Sequence, residues 1–137
     1  MIVAIDFDGV LHDATVPFPG IGNPNYSMIS FTREMIDMGH EVVLWTSRTG
    51  QALEDAVDWC GDRGLHFSAI NDQAPSNKEK YTAAYPEGTR KVHADIYVDD
   101  HNCEFILTQM NAGYNEAIEM TISRLRRILS WKKPEES

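Results

Sequence analysis

The chain has 137 residues, a formal net charge of −9 and two cysteines, Cys60 and Cys103. That length suits one domain with a core large enough to need no metal or disulfide staple. The acidic excess argues against a broad electrostatic grip on nucleic acid, and two cysteines make no disulfide framework. No basic leader or long apolar span is apparent, so a soluble, cytoplasmic protein without membrane contact is expected.

In chain order, Ile2-Val3-Ala4-Ile5 reads as a buried strand ending in Asp6-Phe7-Asp8-Gly9-Val10. Breakers crowd residues 11–25, from His12 through Pro17, Pro19, Gly20 and Gly22 to Pro24, which predicts an exposed loop or flap. Met28, Phe31, Met35 and Met38 recur at helical spacing, and Gly39 marks a left-handed stop. Glu41-Val42-Val43-Leu44-Trp45 is a second strand, covered on both faces, that runs into Thr46-Ser47-Arg48. Thr49 can cap a second helix that turns Leu53, Ala56, Val57 and Cys60 inward and ends near Gly64; Leu65 to Ile70 is a third strand. Asn71 to Arg90 is a polar surface excursion in which Lys78 to Tyr85 carries only a weak helical signal. A fourth strand, Asp95 to Val98, precedes Asp99-Asp100.

Tyr114, Ile118, Thr121, Leu125 and Ile128 outline a final amphipathic helix over about 114–131, and the tail beyond Pro134 is expected to fray. Arg124, Arg126, Arg127, Lys132 and Lys133 near its end suit the negative pole of the helix better than a nucleic-acid patch, since no aromatic platform is interleaved. The alternation of strand and helix predicts an α/β protein: a three-layer, doubly wound, Rossmann-like parallel sheet flanked by helices.

In such a sheet, ligands bind beyond the carboxyl ends of the strands. Asp6 and Asp8, Thr46 and Ser47, and Asp99 and Asp100 all fall at such ends. Period-two geometry aims Asp6 and Asp8 the same way, and two neighbouring acids call for a divalent cation or a division into ionised and protonated forms.

Taken together, Asp6-Phe7-Asp8-Gly9-Val10, Val42-Val43-Leu44-Trp45-Thr46 and Ile96-Tyr97-Val98-Asp99-Asp100 resemble the first, second and fourth motifs of the haloacid dehalogenase (HAD) superfamily. The resemblance covers residues 2 to about 100. It implies a single HAD-like domain over 1–137 without a large cap, and a magnesium-dependent phosphomonoester hydrolase acting on a small phosphorylated substrate. Asp6 would be the nucleophile that forms an aspartyl-phosphate, and Asp8 the proton carrier, its pKa raised by a close like charge. Mg2+ would be held by Asp6, the Asp8 backbone, Asp99 and Asp100, and phosphate by the Thr46 hydroxyl, the Ser47 amide and a lysine. Lys91 stands where small relatives usually carry that lysine, with Lys78 and Lys80 as alternatives.

Arg48 would either reach the substrate or stay solvated. His101 stands where many small relatives carry arginine, and Cys103 is expected to be inert packing. Two other functions fit the same motifs: a phosphatase of nucleotides or nucleic-acid ends, and a phosphate- and metal-binding module without turnover. Oligomeric state is not legible, although Phe18 and Tyr26 in the flap are expected to pack on their own domain.

Overall fold

The computed structural model describes residues 1–81 and 87–131. The chain resolves into two compact units, Met1–Val98 and Asp99–Ser137. In the first, β1 (Ile2–Ile5), α1 (Tyr26–Asp37), β2 (Glu41–Leu44), α2 (Gly50–Asp62), β3 (Ala69–Ile70), α3 (Pro75–Tyr81) and β4 (Ile96–Val98) follow in that order. Their strands form one sheet in the order β3-β2-β1-β4, with every pairing parallel. The expected α/β class with a parallel sheet flanked by helices is thus present. Winding runs outward from β1 to β3 and then resumes on the other side of β1, so the switch point lies between β1 and β4, where such sheets bind ligands.

Burial follows strand parity. Ile2, Ala4 and Val43 pack with Ala74, Val92 and Ala94 from the segment between β3 and β4, while Val3 and Ile5 are equally buried and face the other way. Helix α1 buries Met28, Phe31 and Met35 as its spacing predicts. Met38, expected on the same stripe, is exposed because the helix ends at Asp37. The His40 amide reaches Met35 O and the Gly39 amide reaches Ile36 O, a doubly bonded C-terminal turn that requires the positive φ of Gly39 (91°).

The same turn closes α2, through Leu65 N to Cys60 O and Gly64 N to Gly61 O. It explains why the third strand is shorter than predicted. Leu65 is buried as the apolar residue that follows the cap, not as a strand residue, and only Ala69 and Ile70 pair with Val43 and Leu44. Of the four α2 residues expected inward, Ala56 and Cys60 are buried, while Leu53 and Val57 are half-buried. Cys60 lies in apolar surroundings that push its thiol up to about 12, which makes it inert. Thr49 occupies the N-cap position of α2 without a side-chain capping bond.

Helix α3 begins at Pro75, earlier than the weak signal from Lys78 suggested. Proline at the first helical position opens a helix, whereas in the sequence it reads as a breaker. Residues 82–86, which include the last four of that expected helix, lie outside the described residues, as does the tail beyond Pro134.

The second unit contains α4 (Cys103–Ala112) and α5 (Tyr114–Leu129), which pack on each other. Helix α4 was not predicted, because Phe105 is its one buried residue and no stripe recurs; its start is fixed by Asn102, whose side chain accepts from the Phe105 amide. Cys103 is exposed as its first residue, not packed as expected. Helix α5 buries Ala117, Ile118, Ile122 and Leu125, whereas Thr121 bonds Ala117 O and Ile128 is exposed. Arg126 and Arg127 lie in its last turn, and Arg124 pairs instead with Glu104 at 3.0 Å. Lys132 and Lys133 fall outside the described residues.

Residues 11–25 contain no helix or strand, as expected, yet they are anchored. Leu11 and His12 are buried, and His12 bridges to Asp8 and Pro24. Asp13 organises the exposed part by accepting from Thr15 N, Thr15 Oγ1, Asn23 N and Asn23 Nδ2. A Cβ on Gly22 would lie 2.3 Å from Asp13 Oδ1, so the turn requires glycine there.

Slight desolvation would raise the Asp13 pKa, but the Thr15 and Asn23 bonds prevail and bring it to about 2. A folded-state pKa below the ordinary 3.8 adds stability above pH 3.8 that is lost as pH falls toward 2. Asp13→Asn is therefore expected to flatten that part of the stability profile, read as urea midpoints at pH 5 and pH 2.5.

Candidate active site

Parallel pairing of Ile5 with Leu44 and with Val98 sets the ends of β2, β1 and β4 side by side. The Asp6 amide donates to Val98 O at 2.9 Å, which fixes the exit of β1 beside the point where the chain continues into Asp99. One carboxylate oxygen from each of Asp6, Asp99 and Asp100 lies within 4.8 Å of the others, and all three residues are half-buried. The donor set is oxygen only, with neither thiol nor imidazole, which fits a hard cation such as Mg2+ and not a thiophilic metal. Local bonds aim these carboxylates: the Phe7 amide donates to Asp6 Oδ1 and the His101 amide to Asp99 Oδ1, both at 2.8 Å.

Asp8 is directed elsewhere. Its Oδ1 accepts from Arg48 Nη2 (2.8 Å) and His12 Nε2 (2.8 Å), and its Oδ2 accepts from Arg48 Nε (2.9 Å). His12 Nδ1 accepts from the Ala14 and Gly22 amides, so the ring proton sits on Nε2 and the imidazole donates to Asp8. Burial alone would raise the Asp8 pKa, but the hydrogen bonds from Arg48 and His12 and the charge of Arg48 outweigh it and hold the carboxyl below its ordinary value. The expectation of a raised pKa is therefore corrected: the groups that set it are Arg48 and His12, not the neighbouring Asp6.

The two expectations for Arg48 also fail. Its side chain is wholly buried, and its guanidinium carbon lies over both the Phe7 and the Phe18 ring, 5.0 Å from each centroid. Phe18 is 68% exposed, and Tyr26, also expected to pack, is 72% exposed.

At the end of β2, Thr46 is half-buried and Ser47 exposed. Thr46 N donates to Asn71 Oδ1 (2.8 Å), which leaves its hydroxyl and the Ser47 backbone as the groups offered at this edge, although Thr46 Oγ1 also accepts from Arg48 N (3.2 Å). Asn71 holds this turn from the end of β3, where its own amide donates to Leu44 O and its φ is 50°. Lys91 Nζ lies 5.2 Å from the Tyr97 ring centroid, and Lys78 Nζ is 2.5 Å from Asp72 Oδ2. His101 is exposed, 3.8 Å from Asp100.

Sequence reading missed the structural parts of His12, Asn71 and Arg48. The available signals were a histidine four residues beyond Asp8, an asparagine at a strand end, and an arginine following Thr46-Ser47.

No protein-family profile matches the chain, and neither does any curated protein. A solved structure, described as that of a conserved protein from Bacteroides thetaiotaomicron, matches with a TM-score of 0.64 at 26% identity, over 85% of this chain and 95% of that one. Among the described residues no helix is long and apolar enough to cross a membrane.

Proposed function

We propose that this chain is a capless, HAD-like, magnesium-dependent phosphomonoester hydrolase acting through Asp6. The observation that carries this is the convergence of the Asp6, Asp99 and Asp100 carboxylates at the switch point of the parallel sheet. Asp6, Asp99 and Asp100 would hold the cation, whose charge would let a carboxylate approach an anionic phosphorus centre. Asp6 attacks phosphorus in line, forms the aspartyl-phosphate and expels the alkoxide; water then adds to phosphorus and releases phosphate and the free Asp6 carboxylate. The Thr46 hydroxyl and Ser47 amide hydrogen-bond the non-bridging oxygens, and Lys91 or one of its alternatives offsets their charge.

Asp8 is the proton carrier at this site and takes the proton of the attacking water. The Arg48 fork that occupies both Asp8 oxygens supports one second reading, a phosphate- and metal-binding module without turnover.

An aryl phosphate assay of the wild-type protein separates the two. Turnover dependent on Mg2+ is expected, and chelation should reduce it by on the order of 10^2-fold or more. Mg2+ should also raise the melting temperature of the wild type and do so less for Asp99→Asn, a readout independent of rate. No turnover with intact Mg2+ stabilisation favours the binding module, and loss of both refutes the metal site.

A further inference from the structure

Every N–H of the Arg48 guanidinium is committed within the protein. Nε and Nη2 form a fork on the two Asp8 oxygens, Nη1 reaches Pro19 O (3.0 Å) and Ala52 O (3.4 Å), and Nη2 also reaches Gly20 O (3.1 Å). A planar cation with five donors so occupied has none left for a substrate phosphate. Its partners have something else in common: Asp8 lies at the end of β1, Pro19 and Gly20 lie in the segment over 13–22, and Ala52 lies in the first turn of α2. His12 makes the second link of the same kind, with Nε2 on Asp8 and Nδ1 on the Ala14 and Gly22 amides. Residues 14–19 are exposed, and the Phe18 ring centroid lies 5.0 Å from the guanidinium carbon.

We propose that Arg48 is a positioning residue: its forked bond orients the Asp8 carboxylate for the reaction, and its bonds to Pro19 and Gly20 strap residues 13–22 across the same group. Three hydrogen bonds take up Asp8 Oδ1 on two sides and Oδ2 on one, so the remaining lone pair of Oδ2 is the position presented for proton transfer. Fixing that lone pair requires two donors at fixed separation, which a guanidinium supplies and an ammonium does not. The strap and the carboxylate are held by one cation, so loosening either loosens the other. Part of this rests on the phosphatase reading, because orientation for proton transfer matters only if turnover occurs; the strap does not.

The test is Arg48→Lys, which keeps the charge and most of the stem but cannot bridge both Asp8 oxygens and the two carbonyls. Amide hydrogen exchange over 13–22 should accelerate about ten-fold while the β1 amides keep wild-type protection. With an aryl phosphate, kcat should fall about ten-fold or more and KM change by less than about three-fold, since the loss is one of orientation and not of substrate binding. Wild-type exchange over 13–22 or a wild-type kcat in this variant would overturn the proposal.

Should Arg48→Lys not fold, Phe18→Ala removes the ring that lies over the guanidinium instead. Faster exchange over 13–22 with a lower kcat supports the strap, and no change in either overturns it. A wild-type protein with no turnover would sink the phosphatase reading alone and leave the exchange result to decide the strap.

Discussion

Asp6→Asn is expected to lower turnover of an aryl phosphate by on the order of 10^4-fold or more while leaving the protein at least as stable as the wild type without metal. The rate falls because an amide oxygen is a poor nucleophile toward phosphorus and does not form the acyl phosphate. Stability is spared for two reasons. The Phe7 amide that donates to Asp6 Oδ1 finds an equivalent carbonyl oxygen in asparagine. One negative charge is also removed from a group of three carboxylates within 4.8 Å of one another, which relieves repulsion whenever no cation is bound. The measurement is a pair: steady-state rates with saturating Mg2+, and melting temperatures with and without it. Equal rates for variant and wild type would remove Asp6 from the chemistry. A large drop in melting temperature would show that the carboxylate serves the fold.

The contrast between Asp6 and Asp8 also shows what a sequence makes legible. Asp6 and the Asp99-Asp100 pair could be grouped in advance because each follows an apolar run, and parallel strands bring their carboxyl ends to one edge. The ends of α1 and α2 were legible because the closing turn needs a positive φ and glycine supplies it.

What could not be read depends on register and on partners distant in sequence. Arg48 lies forty residues from Asp8, and the two meet because Ile5 pairs with Leu44, which sets the residues after each strand side by side. One residue of slip would have separated them. The short β3 and the unpredicted α4 have a common cause: periodicity reports burial, and neither element buries a stripe of its own. Thr46 follows β2 as its sequence position suggested, yet the asparagine that takes up its amide directly follows β3, twenty-five residues on.

Asp8→Asn, two residues from Asp6, is expected to behave in the opposite way and cost about 3 kcal/mol of folding stability, the usual penalty for leaving one member of a buried ion pair without its partner. Arg48 is the exposed-to-buried extreme of that pair: its side chain has no solvent contact, whereas that of Asp8 is 36% accessible, so the stranded charge is the one water cannot reach. Asparagine keeps a single acceptor for the fork, and its NH2 group faces donors at the other oxygen position. The melting temperature should fall by ~10 °C. Combining Asp8→Asn with Arg48→Met, which removes the buried cation, should recover a large part of the loss, so the two changes are strongly non-additive.

The pH dependence follows from the direction of the Asp8 shift. A carboxyl held below 3.8 in the folded state stabilises above pH 3.8 and loses that contribution as pH falls through its folded value. The difference between wild type and Asp8→Asn is therefore widest near neutrality and closes in acid, where the wild-type carboxyl is also protonated. A variant that melts with the wild type at pH 7 would mean that Arg48 does not depend on Asp8. If the predicted loss is found, a rate measured for Asp8→Asn reports on proton transfer only at temperatures well below its own transition.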